Sequence, residues 1–363
     1  MKKYIVKTNL VEKEEIFKFL ALSQASGLCA LLIGVPGTAK TNIVLDFVKA
    51  QYDLTKPEEV ERFNAEGFFI LETDEGTKNS EVKGNVNIKK LVEENKFEID
   101  SPITRAECIV INEVDKASSS LRNTFLGIMN EHVLFNGEKK VPCRWDAFIA
   151  TCNSIPVDEI NSPFWDRFIL KHTVSRLNPS QLLSYHTNGG KKIVNEIEIL
   201  IPDASDIESI MIPKAKLSAF IEATYQRTSD RTLSFVPDLV KYTKLIYGLT
   251  MNEALIKVCM FITDISTAQL LANNLNKVEE KILKDITNLA NGDWKTQEVF
   301  EAEKKKIIRN IAAQYKNGEL EDEAMAKFKQ YISEAETSFL ATLQSVSPKL
   351  ADAVEIVTEN ESF

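Results

Sequence analysis

Short apolar runs punctuate the first half of the chain: LCALLI (28–33), FFIL (68–71), CIVI (108–111), AFIATC (147–152) and FILKHTV (168–174). Each is apolar nearly throughout rather than alternating, and helix-like segments lie between them. Strands of that kind are covered on both faces, as in a parallel sheet with helical connections. Upstream, residues 11–26 carry Ile16, Phe17, Leu20 and Leu22 at helical spacing, and Gly27 is placed to end that helix. Between the third and fourth runs, HVLFNGEKKVP (132–142) sets Asn136–Gly137 between β-prone flanks, a hairpin signal. Past residue 175 the β pattern thins. Gly189–Gly190 marks a loop, and helical spacing dominates from about 203 onward. From about 266 to 345 it becomes partly heptad-like, with Leu271, Leu275, Val278, Ile282, Ile286 and Leu289 on one stripe. That predicts long packed helices, an antiparallel bundle or a coiled coil. The expected class is α/β, with a five-stranded parallel sheet followed by helices.

The first apolar run ends in GVPGTAKT (34–41), and TNIVLDFVKA (41–50) reads as a helix after it. Packing does not ask for so flexible a turn. A strand that ends in a glycine-rich turn opening a helix aims several backbone N–H groups one way and makes an anion nest. Gly34 and Gly37 let the backbone approach phosphates, Lys40 reaches the β- and γ-phosphates, and the Thr41 hydroxyl suits Mg²⁺. Ala39 stands where the general motif has glycine. A residue already in helical geometry does not need to be glycine, so this reads as a variant of the motif.

Other strand ends add chemistry at the same edge, where open α/β sheets bind ligands. CIVINEVDKAS (108–118) ends its strand in Asn112–Glu113. Glu113 is placed to polarise a water attacking a γ-phosphate. Asn112 offers an oxygen toward a metal but no charge. AFIATCNS (147–154) ends in Asn153, an amide suited to the attacking water or the γ-phosphate. Arg167 lies in SPFWDRFIL (162–170), just ahead of a strand, and Arg231 in TSDRT (228–232), in the helical part. Alone, each arginine reads as a solvated surface residue. Their order after the first three elements changes that reading.

The formal net charge of −9 disfavours a groove that tracks nucleic acid, which usually needs basic excess. The five cysteines (Cys29, Cys108, Cys143, Cys152, Cys259) form no CxxC pair and read as reduced core residues. Three histidines in different settings give a zinc site little support. No apolar stretch of signal-peptide or membrane-spanning length is present, so a cytoplasmic protein with no membrane partner is expected.

Taken together and in order, these motifs resemble the AAA+ ATPases of the MoxR family, within it the RavA-like branch. GVPGTAKT looks like the family's Walker A, and INEVDKASSSLRNTFLGIMNE (111–131) like Walker B with its following helix. Asn153 matches sensor 1, WDRF (165–168) the arginine-finger segment and SDR (229–231) sensor 2. SEVKGNVNIKKLVEENKFEI (80–99) resembles the segment that carries the helix-2 insert. The likeness covers about residues 10 to 265 and departs at Asn112, where an aspartate is usual.

The resemblance implies ATP and Mg²⁺ as cofactors. Gly34, Val35, Pro36, Gly37, Thr38, Ala39, Lys40, Thr41 and Asn42 would hold the nucleotide, and Thr41 with Asn112 the metal. Glu113, Asn153, Arg167 and Arg231 would act on the γ-phosphate. It implies a nucleotide-binding core over 1–175, a helical lid over 176–265 and a C-terminal helical extension over 266–363. It implies self-assembly into a ring, most often a hexamer, with Arg167 reaching a neighbour's site and Arg231 acting from the lid. It further implies remodelling of a client protein, often with a von Willebrand factor A domain partner. Two other readings stay open: a nucleotide-dependent assembly scaffold that does not hydrolyse, and a nucleic-acid-linked motor of the same superfamily.

Overall fold

The protein is described by a computed structural model covering residues 1–10, 13–86, 92, 99–136, 139–159, 162–176, 194–292, 294 and 296–346. It forms two compact units. The first comprises Met1–Ile210, Tyr225–Leu249 and Lys257–Asp264; the second comprises Met211–Thr224, Thr250–Ile256 and Ile265–Phe363.

The strands are β1 (Lys2–Thr8), β2 (Ala30–Ile33), β3 (Phe68–Glu72), β4 (Asn85–Val86), β5 (Ile99–Asp100), β6 (Cys108–Asn112), β7 (Val133–Asn136), β8 (Lys139–Pro142), β9 (Ala147–Cys152), β10 (Leu170–Thr173) and β11 (Asn195–Ile201). The five apolar runs are the five strands of the central sheet. Its order is β10–β2–β9–β6–β3, and every neighbouring pair is parallel. All of β6 and β9 is buried, which requires cover on both faces. On one face Leu31, Ile109, Ile111, Phe148 and Ala150 share a core with Leu121, Phe125 and Ile128 of the helix Ser119–Glu131. Parallel strands exit at one edge, so β2, β6 and β9 deliver Gly34, Glu113 and Asn153 to the same side.

The helix read over 11–26 runs from Glu14 to Ser26, and Gly27 closes it in the left-handed region at φ 63°. The predicted hairpin is β7 with β8, antiparallel, its tip at 137–138 outside the described residues. β4 pairs antiparallel with β5 at the two ends of the insert-like segment, most of which also lies outside them. One pairing was not foreseen. β1 and β11 form an antiparallel ribbon from Lys2↔Ile201 to Thr8↔Asn195, although the β pattern was expected to thin past 175. Both strands mix charge with apolar residues (KKYIVKT, NEIEILI) and carry cross-strand ion pairs such as Lys3–Glu198 at 2.6 Å.

In the second unit the heptad stripe lies on the single helix Ile265–Asn291, with Leu271, Leu275, Ile282, Ile286 and Leu289 buried. Its second half shares a core with Phe300, Ile307 and Ile311 of Gln297–Lys316 and with Phe328, Ile332 and Phe339 of Asp322–Val346. Phe300 and Phe339 stack at 4.1 Å, and Lys304 pairs with Glu336 at 2.8 Å beside them.

Candidate nucleotide site

The turn from β2 into the helix Lys40–Lys49 is pinned at its start, where the Gly34 N–H donates to Cys152 O on β9 (3.1 Å). A Cβ on Gly34 would lie 2.6 Å from Val174 O, so only glycine fits there. The Thr38 hydroxyl donates to Val35 O at 3.0 Å, and Gly37 adopts φ 83°. Ala39 corrects the sequence reading. It sits at φ 61°, ψ 26°, in the left-handed region and not in helical geometry. The loop therefore holds a Cβ-bearing residue where the backbone favours glycine, at a cost of about 1–2 kcal/mol. Its neighbours Lys40, Thr41 and Asn42 open the helix, where first-turn N–H groups have no intrahelical acceptor.

Lys40 folds back on this loop. Its Nζ donates to Gly34 O at 2.5 Å and to Val35 O at 3.2 Å. Burial holds its ammonium below the ordinary lysine value, opposed by the charges of Cys152, Glu113 and Asp115. A phosphate in the nest would give this ammonium a charged acceptor in exchange for two carbonyls.

The end of β6 is tied on both sides. The Thr73 hydroxyl donates to Asn112 O (2.9 Å) and Glu113 O (2.7 Å), and the Glu113 N–H donates to Thr151 Oγ1 (3.2 Å). These bonds hold Glu113 at φ 55°, a second left-handed residue with a side chain. Its carboxylate is partly exposed and pairs with Lys116 Nζ at 2.5 Å. Asn112 is only 1% exposed. Its Nδ2 donates to Glu72 Oε1 across the β3–β6 pair (2.5 Å), and its Oδ1 accepts from the Thr151 hydroxyl (3.2 Å). Both ends of the amide are thus bonded inside the sheet edge. Asn153 follows Cys152 directly and is half-buried; among the described residues no side-chain hydrogen bond holds it.

Arg167 and Arg231 are not at this edge. Arg167 precedes β10, whose first residue Leu170 pairs with Ala30, the first residue of β2. It lies at the entry edge of the sheet, with Asp166 at 3.3 Å. Arg231, in the helix Asp230–Tyr247, is near enough for the Arg167 charge to act on it, and both act on Cys29 just ahead of β2. Burial, and then the Arg167 charge, hold its guanidinium below its ordinary value. Cys29, just ahead of β2, is pushed up to about 12 by burial, with Arg231 and Arg167 pulling the other way. Arg167 Nε and Arg231 Nη1 are buried without a hydrogen-bond partner.

Two residues escaped the sequence reading. Glu72 ends β3 as a strand-end acid at the same edge as Glu113, and only that position signals it. Asp115 lies in the tight turn Val114–Lys116, inside a quoted motif whose preceding carboxylate drew the attention.

A parallel sheet in this order, with a glycine-rich turn after its second strand and an acid ending the strand two places away, is the arrangement of a P-loop fold of the AAA+ type. The chain belongs to the MoxR family: residues 2–199 match the model described as the MoxR domain in MoxR–vWA–β-propeller ternary systems. It is 27% identical over 237 residues to an uncharacterised protein, MJ0812, of Methanocaldococcus jannaschii, covering 61% of this chain and 59% of that protein. It is 28% identical over 153 residues to the structural protein ORF618 of Acidianus two-tailed virus, covering 41% of this chain and 23% of the viral protein. The chain thus spans three fifths or less of either relative. The crystal structure of a candidate ATPase from Cytophaga hutchinsonii superposes with a TM-score of 0.54, covering 74% of this chain and 90% of that one. At 18% identity, that likeness is one of fold.

Proposed function

We propose that this ATPase hydrolyses Mg²⁺–ATP between protomers of a ring, most simply a hexamer, and uses the cycle to remodel a partner protein. The observation that carries the reading is the shared position of Arg167 and Arg231. Two guanidinium groups with unpaired buried nitrogens stand at the edge away from their own phosphate loop, where a neighbour's γ-phosphate would meet them. The nest of Gly34–Lys40 would hold the triphosphate, with Lys40 and Thr41 on its phosphates and metal. Glu113 would orient the attacking water once Lys116 releases it, and Asn153 would assist. The metal's own contribution is to neutralise charge on the phosphate oxygens. In this reading 1–175 is the nucleotide-binding core, 176–265 the lid and 266–363 an extension.

A partner with a von Willebrand factor A domain is favoured by the matched family, which is described by systems that pair MoxR with such a domain. The five free, buried thiols fit a reducing, cytoplasmic setting. The test is complementation. Arg167→Ala and Glu113→Gln proteins, each inactive, are mixed and allowed to exchange subunits. Partial recovery of hydrolysis is expected, because some interfaces then pair an intact Glu113 with an intact Arg167. Zero activity in rings shown to be mixed, with a wild-type dilution showing independent firing, rejects the shared site.

A further inference from the structure

Asn112 leaves the site one negative charge short, and the structure has another carboxylate close by. The turn Val114–Lys116 follows Glu113 directly. Its backbone is clamped by Arg122, whose Nη2 donates to Asp115 O at 2.8 Å. Arg122 is itself fixed by an ion pair to Glu159 and lies over the rings of Phe164 and Trp165. Asp115 therefore has a set backbone. Its carboxylate, by contrast, has no hydrogen bond or ion pair among the described residues, and Oδ1 is buried without a partner. A buried carboxylate oxygen without a donor is costly unless a cation serves it.

The charge of that carboxylate acts on groups around the phosphate loop. Asp115 acts on Cys152, whose thiol burial pushes up to about 12 with the Asp115 charge adding to the rise. Cys152 is the residue whose carbonyl receives the Gly34 N–H at the start of the phosphate loop. The Asp115 charge also acts on the Lys40 ammonium, after those of Cys152 and Glu113. Lys40 opens the helix after β2 and Cys152 ends the strand beside it, so the carboxylate with the unpartnered Oδ1, two residues past Glu113, stands at the same exit edge. Asn112, by contrast, has its amide nitrogen on Glu72 of β3 and its oxygen on the Thr151 hydroxyl of β9.

We propose that Asp115 supplies the carboxylate that faces the divalent cation of the bound nucleotide, in place of the charge that Asn112 lacks. The proposal rests on the Mg²⁺–ATP reading above. Mg²⁺ is held in such sites by one or two carboxylates together with phosphate oxygens and waters, so one well-placed acid suffices. The charge is moved three positions along the chain and kept at the same edge.

The test separates metal from nucleotide. Binding of a fluorescent, non-hydrolysable ATP analogue is measured with Mg²⁺ and in EDTA, and Mn²⁺ affinity of the nucleotide complex is read by electron paramagnetic resonance. Asp115→Asn should weaken Mn²⁺ binding by about tenfold or more. In EDTA the same variant should bind the analogue as well as the parent or better, because a charge that repels the phosphates has gone. Asp115→Glu should recover most of the Mn²⁺ affinity. Unchanged Mn²⁺ affinity in Asp115→Asn overturns the proposal. So does an equal loss with and without metal, the signature of a damaged site. If Lys40→Ala leaves analogue binding intact, the nucleotide site itself has been misplaced, a distinct failure that removes the ground beneath the proposal.

Discussion

The two edges of the central sheet carry opposite chemistry. At the exit edge stand a nest of N–H groups, a lysine folded onto its own loop, and the carboxylates of Glu113 and Asp115. At the entry edge Arg167 and Arg231 lie together, with Asp166 beside them. Strands of four to six residues separate the edges, about 13 to 20 Å. The chain thus keeps its glycine-rich turn and lysine at one edge and its two arginines at the other. The difference teaches how the ring we propose would complete its site: the neighbour brings the cations.

The sharpest attack on that comparison concerns Arg231. If it shares an edge and a task with Arg167, replacing either by alanine should lower the hydrolysis rate by about 10³-fold or more with nucleotide binding kept. Mixing the two variants should then recover nothing, because every interface lacks one arginine. Recovery on mixing would mean that Arg231 serves its own protomer's nucleotide and would split the entry edge into two functions. Next in size is the exit edge. Lys40→Ala removes charge-assisted bonds to the phosphates and should weaken ATP binding about 100-fold, read by equilibrium titration.

How far these edges could be read in advance differs. The five sheet strands were legible because both faces are buried, which leaves unbroken apolar runs such as CIVI and AFIATC. The ribbon of β1 and β11 was not, because only one of its faces is buried, with Val6, Ile199 and Ile201, and the lysines and glutamates paired on the other face interrupt the apolar run. The phosphate loop was legible from glycine spacing, yet the backbone state of Ala39 was not, since no residue type there announces a positive φ. Asn112 was visible as a departure. Its bonds to Glu72 and Thr151 were not, because they depend on strand register. The position of Arg231 beside Arg167 is a tertiary fact that local pattern does not encode.

Asn112 gives the third test, of smaller size. Aspartate there would set a carboxylate against Glu72 at hydrogen-bond distance in a site only 1% exposed. The substitution should cost about 1–3 kcal/mol at pH 8, read by urea unfolding. Burial and Glu72 would raise the folded pKa of the new carboxyl above its unfolded value of about 4. Below pH 4 both states hold the proton and the penalty vanishes; as pH climbs through the raised folded value, stability is lost. A second change, Glu72→Gln, should restore most of it. A variant as stable as the parent at pH 8 would show that the exit edge is less tightly tied than its hydrogen bonds imply.

The smallest effect is expected at Ala39. Its φ of 61° places a Cβ in the left-handed region, as at Glu113 and His132, whereas Gly27 takes nearly the same angle with no side chain. Ala39→Gly removes about 1–2 kcal/mol of native strain. Part of that gain is lost, because glycine adds about 0.4–1 kcal/mol of freedom to the unfolded chain. The net should be a stabilisation of about 0.5 kcal/mol, a rise of roughly 1 to 2 °C in melting temperature for a unit of this size. Ala50 supplies the contrast. It sits at φ −63°, ψ −16°, in right-handed geometry, at the other end of the same helix. There glycine relieves nothing, and the same substitution should lower stability by about 0.5–1 kcal/mol. Opposite signs at the two alanines would establish that the phosphate loop stores strain which the far end of its helix does not. A loss at both would mean that Ala39 contributes packing worth more than its backbone costs, and the exit edge would then be a relaxed structure.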